Sequence, residues 1–241
     1  MAGVVREFDY FQIENDVNAA LQAASDGALV PRRVSLESMP VPSNALTEKA
    51  TRWAHDKIHP SIFAHCLRTF YFGSAIAREA LLDVEWSAQT FYLAAILHDI
   101  KCSPAAFQES HVSFEFHGGM AARGFLVGAG AGSGVADTVM KAICRHKDSS
   151  YSSSGFSAEG QMLRFGAQLD VLGNYAALIH PSTLADVVHS HPRQNFNNVF
   201  ADTLIDEVHS KRFCTGVNLL KPDGLIDSLR NNPVMRAYDA C

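Results

Sequence analysis

Phe91-Tyr92-Leu93-Ala94-Ala95-Ile96-Leu97-His98-Asp99-Ile100 contains the most apolar run of the chain and decides how the rest is read. The run from Phe91 to Leu97 reads as a helix buried in a core. At its end stand His98 and Asp99, two metal-capable side chains, where burial is costly unless they find partners. The dipeptide alone decides little, because His55-Asp56 repeats it. Spacing to His65, His146 and Asp170 separates the two pairs.

Upstream, Ser87 caps the buried helix, and a longer helix runs from His59-Pro60-Ser61 to about Leu82, with Pro60 in the first turn where its missing N–H costs little. Ile62, His65, Thr69, Phe72 and Ile76 follow helical steps, so His65 lies on the inward stripe. Before it, residues 44–58 form a helix capped by Asn44, or by Thr47 as the later alternative, with His55-Asp56 on its solvated face. Residues 10–25 form a short amphipathic helix. The stretch from Asp26 to Ser43, with Gly27, Pro31, Pro40 and Pro42, reads as an extended linker on the surface.

Downstream, a loop with Pro104 leads to a helix from Ser113 to about Val127, in which Gly118-Gly119 and Gly124 predict close helix approach. Gly128-Ala-Gly-Ala-Gly-Ser-Gly134 lacks the GK[ST] ending of a phosphate loop and reads as a connection. Val139, Ile143 and His146 then share one face of a helix spanning 135–147. After a Ser-rich loop, a helix from Glu159 to about Ile179 sets Leu163, Gly166, Leu169, Asp170 and Gly173 on one side, so Asp170 is an acid on an apolar face that requires a partner. Helices over 196–213 and around 225–229 follow. His180, His189, His191 and His209 stand in polar contexts. No strand of period two appears, so the fold is expected to be all-α.

The chain has 241 residues, 47% of them hydrophobic and 19% charged, with a net charge of −5 and no basic block. This describes one large globular domain, or at most two small ones. It argues against nucleic acid as a partner, since phosphate neutralisation needs clustered Lys and Arg. The longest apolar run is about a third of the roughly 20 residues a bilayer needs, so no membrane span is expected. With acids at Glu7 and Asp9 and no apolar leader, a cytoplasmic location with a nuclear share is expected. The five cysteines are scattered with no C-x-x-C pair, which suits reduced thiols. A small-molecule substrate and a possible homo-oligomer complete the expectations.

His65, His98, Asp99 and Asp170 thus come from three helices that can converge, supplying two imidazoles and two carboxylates. Such a set suits one divalent ion of the Zn2+, Fe2+ or Mn2+ type with positions left for water or substrate, and so a catalytic site rather than a structural one.

This spacing resembles that of the HD-domain superfamily of metal-dependent hydrolases, and is similar in particular to its cyanamide hydratase type. The resemblance runs from His59 to Gly173 and rests on His65-Cys-Leu-Arg-Thr-Phe70, Leu97-His-Asp-Ile100, Ser113-Phe-Glu115 before Gly118-Gly119, Arg145-His-Lys-Asp148, and Leu169-Asp170 before Gly173. It implies an HD-domain helical bundle over 46–220, preceded by an N-terminal helix and linker (1–45) and followed by a tail with a short helix (221–241). It implies a metal, zinc first, held by His65, His98, Asp99 and Asp170, and addition of water to the nitrile of cyanamide or a related small compound to give urea. His146 then serves proton transfer, orients the attacking water, or supports a ligand from outside, while Glu115 holds His98 or His65 in one tautomer.

The chain departs from that pattern after Asp99. Ile100-Lys101-Cys102 stands where the family has a Gly-Thr pair, so Lys101 either enters the pocket as a cation or turns to the surface. His117 stands in place of a tyrosine. An alternative activity is phosphohydrolysis of a nucleotide, with Arg68, Lys101, Arg145 and Lys147 meeting phosphate and, if His117 and His146 were ligands, a second metal. A third is a binding module of the same fold without turnover. The ligand assignment predicts that His98→Ala and Asp170→Ala each lose bound metal in elemental analysis, while His55→Ala keeps it. Loss of metal in His55→Ala alone would reverse the choice of dipeptide.

Overall fold

Capping chemistry fixes where the helices begin. Asn44 accepts the backbone N–H of Leu46 at 3.0 Å and of Thr47 at 3.2 Å, and the Thr47 hydroxyl accepts from the Asn44 N–H, a reciprocal capping box. Ser87 caps the apolar helix through Thr90 N–H, and its own N–H donates to Glu159 at 2.9 Å, tying two helix starts together.

The computed structural model describes residues 17–80, 85–148, 156–211, 213–216 and 224–239. Among them stand eleven α-helices and no β-strand: α1 (Val17–Ser25), α2 (Ala45–Lys57), α3 (Pro60–Ala80), α4 (Ala88–Leu97), α5 (Pro104–Phe107), α6 (Phe114–Gly128), α7 (Ser133–Arg145), α8 (Ala158–Leu172), α9 (Pro181–Ser190), α10 (Phe196–Ser210) and α11 (Leu225–Arg230). The fold is all-α. The expected first helix appears from Val17 onward, and its residues 10–16 lie outside the described ones, as do residues 149–155 of the Ser-rich loop. Cys66, Cys102, Cys144 and Cys214 are unpaired thiols.

Several helix bounds differ from the sequence expectations. The helix expected to reach Ile179 ends at Leu172, because Gly173 adopts φ +78°, the left-handed C-terminal conformation glycine takes without strain. The chain then makes a 3₁₀ turn at Ala176–Leu178 and starts α9 at Pro181, a helix absent from the sequence expectations. The Pro104 loop holds the one-turn α5, capped by Ser103.

Helix α4 sits at the centre, with every residue from Thr90 to Leu97 buried. That is why its apolar run shows no polar face. It packs against α2, α3, α7 and α8. Helices α3 and α8 approach so closely that a Cβ on Gly166 would lie 2.2 Å from the Thr69 carbonyl oxygen, and one on Gly73 2.5 Å from that of Met162. Likewise α6 meets α7 at Gly119, where a Cβ would lie 2.5 Å from Cys144 Sγ. Gly124, expected at the same kind of contact, faces open space. The linker before α2 is extended except for a 3₁₀ turn at Leu36–Ser38, and it is pinned by Arg32 to Glu79, by Arg33 to Asp186 and by a pair of hydrogen bonds between Val34 and Thr183.

These contacts predict opposite outcomes for two similar substitutions in urea unfolding. Gly166→Ala forces α3 and α8 apart and destabilises by about 1–3 kcal/mol. Gly124→Ala meets nothing and stabilises by up to about 1 kcal/mol through helix propensity.

Candidate metal centre

The inward stripe of α3 carries His65, 1% exposed, to the end of α4, where His98 is the helix C-cap and Asp99 begins the following turn. His65 Nε2 and His98 Nε2 lie 3.1 Å apart, His98 Nε2 is 3.3 Å from Asp99 Oδ2, and His65 Nε2 is 3.8 Å from the same oxygen. These three atoms form the only group of at least three clustered His, Cys, Asp or Glu donors among the described residues.

Proton placement decides what the triangle means. His98 Nδ1 lies 2.8 Å from the Ala95 carbonyl oxygen, which can only accept, so Nδ1 carries a hydrogen and, in the neutral ring, Nε2 is left with a bare lone pair. His65 Nδ1 lies 2.7 Å from Asp170 Oδ2. Burial alone would raise the Asp170 carboxyl, but Arg193, Arg68 and His65 hold it well below the usual carboxylate range, so it too only accepts. Burial lowers His65 despite that bond, keeping the ring neutral. Both Nε2 atoms therefore point lone pairs at each other and at Asp99, whose two buried oxygens find no hydrogen-bond partner. Three electron-pair donors in a buried cluster repel unless a cation stands among them. Donors about 2.0–2.2 Å from a tetrahedral ion stand about 3.3–3.6 Å from one another, and the observed 3.1, 3.3 and 3.8 Å straddle that range.

Asp170, expected as a fourth donor beside the other three, is placed differently. It stands on the far edge of the His65 ring, with Oδ2 on Nδ1 and with Arg68 Nη2 at 2.8 Å, and Arg193 on Oδ1. Both arginines are fully buried. Phe196 stacks on the His65 ring at 4.5 Å, a contact no sequence pattern announced.

His146 is buried beside the cluster, its ring centroid 5.1 Å from that of His98. Its Nδ1 donates to the Ile143 carbonyl at 2.6 Å, leaving Nε2 as a free acceptor, and burial lowers its pKa well below the ordinary value. Glu115 holds neither ring, since the Nδ1 atoms are taken by Ala95 and Asp170. Its carboxylate instead meets Lys147 Nζ at 3.0 Å and the Thr215 hydroxyl at 2.6 Å. Lys101 takes the surface alternative, paired with the half-exposed Glu109, which His117 also approaches at 3.8 Å. His117 and His146 thus do not join a second cluster of donors among the described residues. His55 and Asp56 are exposed and contact each other at 3.2 Å. Among the other histidines, His180 caps α9, and His191 stacks on Tyr71. No described helix is long and apolar enough to cross a membrane.

No protein-family model matches the chain. It is similar to two Saccharomyces cerevisiae (strain ATCC 204508 / S288c) proteins, cyanamide hydratase DDI2 and cyanamide hydratase DDI3, each 26% identical over 208 residues that cover 86% of this chain and 88% of the relative.

A histidine held neutral below its unfolded pKa of about 6.5 contributes stability that is complete above that pH and is lost as pH falls through the lower folded value. His146 predicts that the metal-free protein loses stability from pH 6.5 downward, at up to about 1.4 kcal/mol per pH unit. Urea midpoints measured between pH 7.5 and 5 give a shallower fall for His146→Gln.

Proposed function

We propose that the chain is a metal-dependent hydratase adding water to the nitrile carbon of cyanamide, to give urea, or to that of a closely related small neutral nitrile. The observation that carries this reading is the triangle of proton-free donors, and similarity to two cyanamide hydratases gives it a substrate class. His65, His98 and Asp99 are the ligands in this reading, zinc the first choice and Fe2+ or Mn2+ the alternatives, within an HD-type bundle. A divalent ion there supplies Lewis acidity and lowers the pKa of water from about 15.7 towards 7.

The chain's own groups do the rest. Asp170 fixes the tautomer of His65, and the Ala95 carbonyl fixes that of His98, so that both present Nε2 inward. His146, with Nδ1 committed to Ile143, has Nε2 to take a proton from the attacking water and return it to the nitrile nitrogen. The adduct HN=C(OH)–NH2 becomes urea when the hydroxyl proton moves to the imino nitrogen. A base depressed by burial releases that proton readily. Lys101 and Glu115 take no part in these steps.

Nucleotide phosphohydrolysis is the weaker reading, because the four cations it would use are all paired with carboxylates: Arg68 with Asp170, Lys101 with Glu109, Arg145 with Asp148 and Lys147 with Glu115. A neutral substrate needs none of them.

Purified protein offered cyanamide and, separately, mononucleotides separates the two. Urea is expected, lost on chelation and restored by Zn2+, Fe2+ or Mn2+. Phosphate release without urea overturns the reading, and a chain that holds no metal and gains no activity from added ions is a binding module.

A further inference from the structure

Behind the His65 ring lies a second polar assembly, built from parts of the chain far from the donors. Asp170 shares its carboxylate between His65, Arg68 and Arg193. Arg193, fully buried before α10, spends its donors on Asp170, on the Asn197 side chain and, through Nε at 2.7 Å, on Asp239 Oδ1. The segment Gly224–Asp239 is seated there by further bonds. Asn232 Nδ2 donates to the Asp170 carbonyl at 3.2 Å, and Asn195 N–H donates to the Asp239 carbonyl at 3.2 Å.

The charges of this assembly balance as a set of four. Two guanidiniums face two carboxylates, and only Asp170 touches a metal-centre residue. A carboxylate on Nδ1–H raises the donor strength of the opposite Nε2 and fixes the ring's orientation. Each arginine on Asp170 draws that strength away. Asp239 takes the Nε edge of Arg193 and neutralises it, so Asp170 is left with the charge that His65 needs. Without Asp239 the buried assembly would carry a net positive charge on the side of His65 away from the donors, repelling a divalent cation.

We propose that Asp239 and Arg193 are positioning residues for the metal centre, acting through Asp170 on His65, so that the segment Gly224–Asp239 sets the affinity of the site for a divalent ion. This rests on the reading of His65, His98 and Asp99 as a metal centre. Asp239 is partly accessible, its side chain 16% exposed.

Full-length protein, stripped of metal, is titrated with Zn2+ against a chelating dye, and with Co2+ while its visible absorption is recorded. Asp239→Asn is expected to weaken Zn2+ binding by about 10- to 100-fold and to alter the Co2+ spectrum, and Asp239→Glu to restore most of both. Wild-type affinity and an unchanged spectrum in Asp239→Asn overturn the proposal. So does a variant of lowered melting temperature whose gain on adding Zn2+ equals that of the wild type, the mark of a purely structural role. Failure of the wild type itself to bind Zn2+ or Co2+ removes the metal-centre reading, and this proposal with it.

Discussion

A local electrostatic conflict stands where the described helices α3 and α4 meet. Two imidazole nitrogens and a carboxylate oxygen meet in the buried interior, and the Nδ1 hydrogens are spent elsewhere, on Ala95 and on Asp170. A protein core tolerates such a meeting when a cation resolves it. The conflict needs rigid supports to persist, and the α3 and α8 backbones supply them by pressing together at Gly73 and Gly166. Helix α4, buried on all sides, delivers His98 and Asp99 to a point that neither side chain can leave for water.

Much of this was legible in residue order. The apolar run of α4, the inward stripe of α3, the Asn44 and Ser87 caps and the helical faces carrying His146 and Asp170 all express local rules, periodicity and backbone hydrogen-bond supply, that a sequence displays directly. Burial of His65, His98, Asp99, Asp170 and His146 followed from the same stripes. Helix α9 carries a readable signal in Leu184, Val187 and Val188 after His180-Pro181, set among flanking polar residues.

What sequence could not carry is the choice of partner. Asp170 was visible as an acid that needs one, but whether it turns to the donors or to a histidine edge depends on two arginines, and nothing around Arg193 distinguishes it from a surface arginine. Glu115 and Lys101 show the same limit. Each lies near conspicuous residues in sequence, yet its charge is satisfied by a residue the chain brings from elsewhere, Lys147 and Glu109 respectively. The rule that buried charges pair says that a partner exists and leaves open which one.

The position of His98 as the C-cap of α4 bears on what the site can accept. Peptide dipoles along α4 sum to a partial negative charge at this end, roughly half an elementary charge, directed at the donor triangle beside the Asp99 carboxylate. The macrodipole therefore works with the ligands to attract a cation to the triangle. The same helix that carries His98 and Asp99 into the core thereby adds to the negative field in which a divalent ion would settle.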